Sequence, residues 1–115
     1  MKRRTKQFAL DVLEFLAAQR WTEDSRTLRQ QLIRAATSVG ANYRAACRSR
    51  SRAEFIARIG VTLEEADEAA FWLELLIESR AVSGTPAVNL LGEADELTAI
   101  FAASAITAKA NSGKG

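Results

Sequence analysis

No histidine occurs anywhere in the 115-residue sequence, and cysteine and proline occur once each. Without histidine the chain has no Glu-x-x-His ligands for a di-iron bundle, no histidine ligand for zinc, and no Ser-His or Cys-His nucleophile pair. The single cysteine, Cys47, cannot form a disulfide within the chain, which fits a reducing compartment. We therefore expect a protein that is not an enzyme and has no cofactor.

Long apolar runs are also missing. The opening residues MKRR precede an apolar segment that resembles a signal peptide, but Asp11 and Glu14 interrupt it. No uncharged apolar run approaches the roughly 18 to 20 residues that span a bilayer. The sequence thus predicts a soluble, cytoplasmic protein without a membrane partner.

The remaining candidates for chemistry have simpler interpretations. The four carboxylates between residues 64 and 68 could hold a hard cation, but they share one predicted helix and lack a loop to wrap the ion. The C-terminal GKG lacks the glycine-rich loop of a phosphate-binding motif. Cys47 has arginines nearby, yet a buried or half-buried structural thiol is the better expectation. Asn42 is expected to be a polar contact that fixes helix register rather than part of a small-molecule site.

The composition favours helices. Proline and β-branched runs are scarce while Ala, Leu, Glu and Arg are abundant, and 48% apolar residues suffice for one domain with a core. Apolar residues recur at steps of three and four over about 4–20, 26–47, 52–80 and 88–109. The fold predicted is an all-α, up-down-up-down antiparallel four-helix bundle over residues 1–110, followed by a flexible tail at 111–115.

Local signals place the helix ends. The expected caps are Asp24 or Ser25 for the second helix, Ser51 with Glu54 as a capping box for the third, Gly84 at the end of the third, and Thr85 followed by Pro86 at the start of the fourth. Gly40 falls in the middle of the second helix, where glycine costs about 1 kcal/mol relative to alanine. Close approach of a neighbouring helix is the simplest compensation.

Charge is divided unevenly along the chain. The overall net charge is +2, but the residues up to Arg58 carry +8 and those beyond it carry −6. Such segregation indicates either a polyanionic partner or complementary packing between subunits.

A nucleic-acid interface is the first hypothesis. The candidate residues are Arg44, Arg48, Arg50, Arg52 and Arg58 around the connector between the second and third helices, and Lys2, Arg3 and Arg4 at the N-terminus. We expect these two clusters to lie at opposite ends of the bundle. The alternative is that the arginine-rich connector is merely solvated, with some arginines satisfying carbonyls at a helix end.

A subunit interface is the second hypothesis. The third helix carries large apolar residues on an acidic face without any lysine or arginine of its own between Arg58 and Arg80, so we expect uncompensated repulsion there. The candidate interface residues are Phe71, Trp72, Leu75, Glu64 and Glu68. In the corresponding alternative function, a purely structural adaptor, the basic first half docks on this helix of a neighbouring subunit and no nucleic acid is bound.

Three stretches resemble one known family. Residues 34–45 read RAATSVGANYRA, residues 53–56 read AEFI, and residues 65–75 read EADEAAFWLEL. In order and spacing they resemble the bacterial four-helix-bundle proteins often encoded in intervening sequences of 23S ribosomal RNA genes. The sequence departs from the family pattern in two places: Gly40 replaces a proline, and the three residues Arg44-Ala45-Ala46 replace Ala-Glu-Gly, which adds a base and removes an acid.

The resemblance implies partners that the residues alone do not. Members of that family are expected to be homo-oligomers, often pentameric rings of four-helix bundles. A related branch serves as the accessory protein of diversity-generating retroelements, where it contacts a reverse transcriptase and nucleic acid. The partners implied for this chain are therefore other copies of itself, RNA or DNA, and a reverse transcriptase or another protein.

Overall fold

The computed structural model describes residues 1–112 and contains four helices joined by short connections: α1 (Lys2–Ala17), α2 (Glu23–Cys47), α3 (Arg52–Glu78) and α4 (Thr85–Ser112). Consecutive helices run antiparallel, and the described residues contain no strand, so the predicted all-α bundle is confirmed. The molecule is elongated, with extents of 52 × 22 × 20 Å. The α4 helix continues to Ser112, into the predicted tail, whose last residues, 113–115, lie outside the described residues.

The second helix begins earlier than predicted. Thr22 is its N-cap, because its hydroxyl accepts a hydrogen bond from the Ser25 amide at 3.3 Å while the Ser25 hydroxyl accepts from the Thr22 amide at 3.2 Å. The prediction of Asp24 or Ser25 as N-cap was wrong, since this reciprocal pair satisfies two backbone amides and places the cap upstream of both. For α3, the Ser51 hydroxyl accepts a hydrogen bond from the Glu54 amide at 3.1 Å, as predicted. The Glu54 carboxylate accepts from the Arg50 amide at 3.3 Å instead of the Ser51 amide, so the reciprocal bond of the predicted capping box does not form.

The connection between α3 and α4 differs from its prediction. The α3 helix ends at Glu78, and Arg80, with φ of 64°, takes the left-handed conformation just beyond it. Gly84, with φ of 96°, instead stands directly before α4, where its carbonyl accepts from the Val88 amide at 3.4 Å. Thr85 is consequently the first residue of α4 rather than its cap.

The core forms along the predicted apolar seams. Large side chains from all four helices are almost completely buried, and each contributes about 1.5 to 3 kcal/mol of burial free energy. The largest are Phe8, Leu16, Leu32, Ile59, Leu73, Leu76, Leu97 and Phe101. The α2, α3 and α4 helices have 25, 27 and 28 residues, whereas α1 has 16. At 1.5 Å per residue, α1 flanks about two thirds of the length of α2.

The α1 helix passes close to α2 at Gly40. A Cβ atom at that position would lie 3.5 Å from Thr5 Oγ1 and 3.6 Å from the Thr5 carbonyl carbon. The Thr5 hydroxyl is buried against α2, but it can donate a hydrogen bond to the backbone carbonyl oxygen of Met1 or Lys2, each 3.1 Å away. Its burial therefore leaves no hydrogen-bond donor without an acceptor. The close approach expected from a mid-helix glycine is present, and it sets the position of the N-terminal turn of α1.

Candidate nucleic-acid interface

The N-terminus of α1 lies beside the C-terminal half of α2. Thr5 faces Gly40, while Trp21, just after α1, lies under the guanidinium of Arg29 at 5.8 Å from the ring centroid. The two helices are therefore antiparallel neighbours, and the start of the first and the end of the second share one end of the bundle. The prediction that the two basic clusters lie at opposite ends of the bundle was wrong. Because α1 and α2 are antiparallel, the end of α2 lies at the same end of the bundle as the N-terminus.

A groove of about 590 Å³ runs between these two helices. Its rims are basic and its floor consists of small side chains, so the middle of the groove is open to a ligand. The residues that line it are Lys2, Arg3, Lys6 and Ala9 from α1, Thr37, Gly40, Ala41 and Arg44 from α2, and Arg48 directly after α2. We call this the α1–α2 groove.

The α1–α2 groove is a region of positive charge. Five of its lining residues are cationic and none is acidic. Within residues 1–112, none of these five takes part in an ion pair. Between Asp24 and Glu54 the chain has seven arginines and no acidic residue. Charges of one sign along a cleft focus the electrostatic potential, and the N-terminal end of the α1 dipole adds to it.

Arg4 belongs to a different contact. Its Nε donates to Glu93 Oε2 at 3.0 Å and its Nη2 donates to Glu93 Oε1 at 2.6 Å, with Glu96 Oε1 3.0 Å from the same nitrogen. The hydrogen bonds to Glu93 and then Glu96 raise the pKa of Arg4 further above its usual value. The predicted N-terminal cluster is thus split: Lys2 and Arg3 line the groove, whereas Arg4 ties α1 to α4.

The connector arginines are split in the same way. Arg44 and Arg48 lie on the groove, but Arg50 lies in the turn before α3 and Arg58 is exposed on α3. Arg52 lines a separate depression of about 340 Å³ with Phe55, Ala108 and Asn111. Lys6 joins the groove although the predicted site did not include it. Its signal was its spacing, because Lys2 and Lys6 are one helical turn apart.

The acidic face of α3 is partly neutralised within the chain. Arg34 of α2 contacts Glu68 through Nη2 and lies 3.3 Å from Glu65 Oε2 through Nη1. Glu68 also accepts a hydrogen bond from Trp72 Nε1 at 3.2 Å, and this bond and the Arg34 contact lower its pKa. The expectation of uncompensated repulsion was wrong, because a neighbouring helix supplies the cation that the sequence of α3 lacks.

The predicted interface residues differ in exposure. Phe71 is 51% exposed and its ring packs edge-to-face on Trp72 at a centroid distance of 5.2 Å. Trp72, Leu75 and Glu68 are half-buried, whereas Glu64 is exposed. Phe71 is therefore the most exposed large apolar side chain of α3.

Cys47, Asn42 and Tyr43 lie near the end of α2. Cys47 is exposed rather than buried, because it is the last residue of the helix. Asn42 Nδ2 donates to the Ser38 carbonyl at 2.9 Å, one turn back along its own helix, so this bond does not set the register between helices. Burial, followed by the contact with Cys47, raises the pKa of Tyr43.

The described residues offer neither a metal cluster nor a membrane span. Within residues 1–112, no three His, Cys, Asp or Glu side chains come together as a metal site. No helix in that range combines the length and the apolar character that crossing a bilayer requires.

Comparison with known proteins shows the family of the chain and its similarity to solved structures. The model of the family described as 23S rRNA-intervening sequence protein matches residues 1–103. A crystal structure from Bacteroides thetaiotaomicron, described as a protein with unknown function from the S23 ribosomal protein family, is 27% identical with a TM-score of 0.79. The similarity covers 90% of this chain and 96% of that one. No curated protein matches the chain.

Proposed function

The chain belongs to the family of 23S rRNA-intervening sequence proteins, and we propose that it is a non-enzymatic helical-bundle scaffold that binds nucleic acid through the α1–α2 groove. The observation that carries this proposal is the convergence of Lys2, Arg3, Lys6, Arg44 and Arg48 from separate parts of the sequence on one groove. Phosphate contacts require positive charge and accessibility, and the groove offers both.

The packing of the two helices supports a binding role over simple solvation. A solvated arginine turn needs no partner cluster, whereas here two basic segments about 40 residues apart in sequence face each other. Gly40 and Ala41 keep the floor low, so a phosphate can pass between the rims instead of resting on top of them. Mutual repulsion of five cations is a cost that an anionic ligand relieves.

The direct test is binding at low ionic strength. Fluorescence anisotropy with labelled DNA and RNA, single-stranded and duplex, should show an affinity that falls linearly on a log-log plot as salt rises. Absence of binding to every probe at about 50 mM salt, where phosphate contacts are strong, would exclude the proposal.

A non-enzymatic role fits the side chains available. The chain has no histidine, and the groove contains no carboxylate that could act as a general base or bind a catalytic metal. The groove can therefore bind a polyanion, but none of the side chains that line it is suited to cleaving one.

Self-association is the second part of the proposal. We propose a homo-oligomer in which the Phe71 surface of α3 contacts another copy, and the family resemblance suggests a ring of five. A large aromatic side chain with half of its surface exposed beside Trp72 supports this assignment. A reverse transcriptase or another protein partner remains a prediction of the same resemblance.

Light scattering coupled to size-exclusion chromatography tests the self-association. The wild type should exceed the monomer mass at micromolar concentration, and Phe71→Ser should lower that mass. Val88→Ser, at a residue 59% exposed on α4, is the matched control and should not. A wild-type monomer would rule out the oligomer.

The adaptor alternative predicts a different pattern. If the basic half of one copy docks on α3 of the next, the oligomer should dissociate as salt rises and nucleic acid should not bind. Arg34 weakens this alternative, because it already pairs with Glu65 and Glu68 of its own chain.

A further inference from the structure

We infer that the α1–α2 groove is selective for single-stranded over duplex nucleic acid, and that it reads the phosphate chain and not the bases. This inference rests on the proposed function, since it specifies the ligand of the same groove. Three features of the groove support it: its width, the placement of its cations and the residue types of its lining.

The width of the groove excludes a duplex from its floor. The axes of two packed helices are about 8 to 10 Å apart, so the cleft between them is narrower than one helix. A DNA duplex is far wider, since its major groove alone is about 12 Å across and admits an entire α-helix. A duplex could therefore rest only on the rims, whereas a single phosphate chain can descend to Ala9, Gly40 and Ala41.

The cations are placed to contact one chain from both sides. Lys2 and Lys6 are one turn apart on α1, and Arg44 and Arg48 are one turn apart along α2 and its C-cap, so each rim repeats about every 6 Å. From Thr37 to Arg48 the groove follows about 16 Å of α2. A strand along this path is neutralised from both rims, while a duplex across them meets fewer of the five cations.

The lining also indicates which part of the nucleotide is recognised. Among the described residues that line the groove, none is aromatic, and none is Asn, Gln, Asp or Glu. Base stacking on aromatic rings and paired hydrogen bonds from amide side chains to base edges, two usual sources of base preference, are therefore missing from it. Binding should be nearly independent of sequence and strongly dependent on salt.

The salt dependence follows from the number of cations. Each phosphate neutralised on a single strand contributes about −0.7 to the slope of the logarithm of the binding constant against the logarithm of the salt concentration. Five contacts therefore give a slope of about −3.5. The affinity should then fall on the order of a hundredfold between about 50 and about 200 mM salt.

The test compares a labelled single-stranded oligodeoxythymidylate with a duplex of equal length in fluorescence anisotropy. Wild-type protein should bind the single strand at least about tenfold more tightly at low salt. Ala41→Leu fills the exposed floor of the groove without changing its charge. It should lower the affinity for the single strand about tenfold and leave the affinity for the duplex unchanged. Gln30→Leu, at an exposed position on α2 outside the groove, is the matched control and should change neither.

A second pair of variants tests the rims independently of the floor. Lys6→Gln should lower the magnitude of the salt slope for the single strand by about 0.7, whereas Lys109→Gln, on the exposed last turn of α4, should leave it unchanged. Duplex binding as tight as single-strand binding, or an unaltered single-strand affinity in Ala41→Leu, overturns this inference but leaves the proposed function intact. If the wild-type protein binds neither the single strand nor the duplex, the proposed function itself is contradicted.

Discussion

Arg4 of α1 forms a bidentate pair with Glu93 of α4, with nitrogen to oxygen distances of 3.0 and 2.6 Å. This contact joins the first turn of α1, which forms one wall of the α1–α2 groove, to a helix on its other side. Two parallel N–H···O bonds fix the direction of the arginine side chain as well as its position. The basic residues beside it, Lys2, Arg3 and Lys6, are thereby held towards α2.

Breaking this pair should loosen the first turn of α1 without unfolding the bundle. In Glu93→Gln, amides of residues 2–9 should exchange with deuterium faster, while those of α3 remain as protected as in the wild type. The change in melting temperature should be small, because partly exposed ion pairs contribute little to stability. Gln7→Ala, which removes an exposed bond to Asp11 on the same helix, is the control. Equal exchange of residues 2–9 in all three proteins would contradict the anchoring role.

The groove arginines should matter more for binding than the other connector arginines. The double variant Arg44→Ala/Arg48→Ala removes two rim cations, so its salt slope for a single strand should be smaller in magnitude by about 1.4 and its low-salt affinity lower. Arg50→Ala/Arg52→Ala removes the same charge from outside the groove and should retain most of the wild-type affinity. Equal losses in both variants would mean that net charge, not the groove, attracts the nucleic acid.

Gly40 should accept alanine but not a larger side chain. An alanine Cβ would lie 3.5 Å from Thr5 Oγ1, an ordinary van der Waals distance, so Gly40→Ala should gain up to about 1 kcal/mol from helix propensity. Gly92→Ala, in open space on α4, gives the propensity gain without any contact and serves as the reference. Gly40→Leu should push α1 away and lower stability by about 1 to 3 kcal/mol. Urea denaturation monitored by circular dichroism measures all three, and a stable Gly40→Leu would show that α1 does not need this approach.

The stability of the bundle should decrease in acid, partly through Glu68. Its pKa in the folded protein lies below its ordinary value, because Trp72 and Arg34 favour the charged form. The stabilisation is therefore present above the unfolded-state pKa and is lost as the pH falls through the folded-state pKa. Glu68→Gln should be less stable than the wild type near neutral pH, and the difference should shrink below about pH 4. Urea denaturation midpoints of both proteins, measured from neutral pH to below about pH 4, test this prediction. A difference that stays constant with pH would show that Glu68 does not contribute to the loss of stability in acid.

Much of the fold follows from local sequence. The four segments with apolar steps of three and four correspond to α1 to α4, and Ser51 caps α3 as its pattern predicts. The predicted and observed structures differ at helix ends, where more than one residue can cap the helix. Thr22 and Ser25 cap each other in a reciprocal bond, which a pattern based on a single capping residue does not include. Arg80 takes the left-handed position at the end of α3 that the sequence predicts for Gly84, since the helix ends before it reaches the glycine.

The candidate site required the tertiary structure. Each cation of the groove is visible in the sequence, but the predicted site included Arg4 and omitted Lys6, because nothing local distinguishes an arginine that pairs with Glu93 from a cation that faces α2. The same holds for Glu68, whose counter-ion Arg34 lies on another helix.

The sequence by itself therefore determined the helices, their order and the excess of positive charge in the first half, because these depend on periodicity and composition. Only the packing decided which charges pair and which remain together. The register of α1 on α2, set where Thr5 meets Gly40, brings two distant basic segments into one groove. Ion pairs and clefts depend on distances between side chains from different helices, and those distances exist only once the bundle has closed.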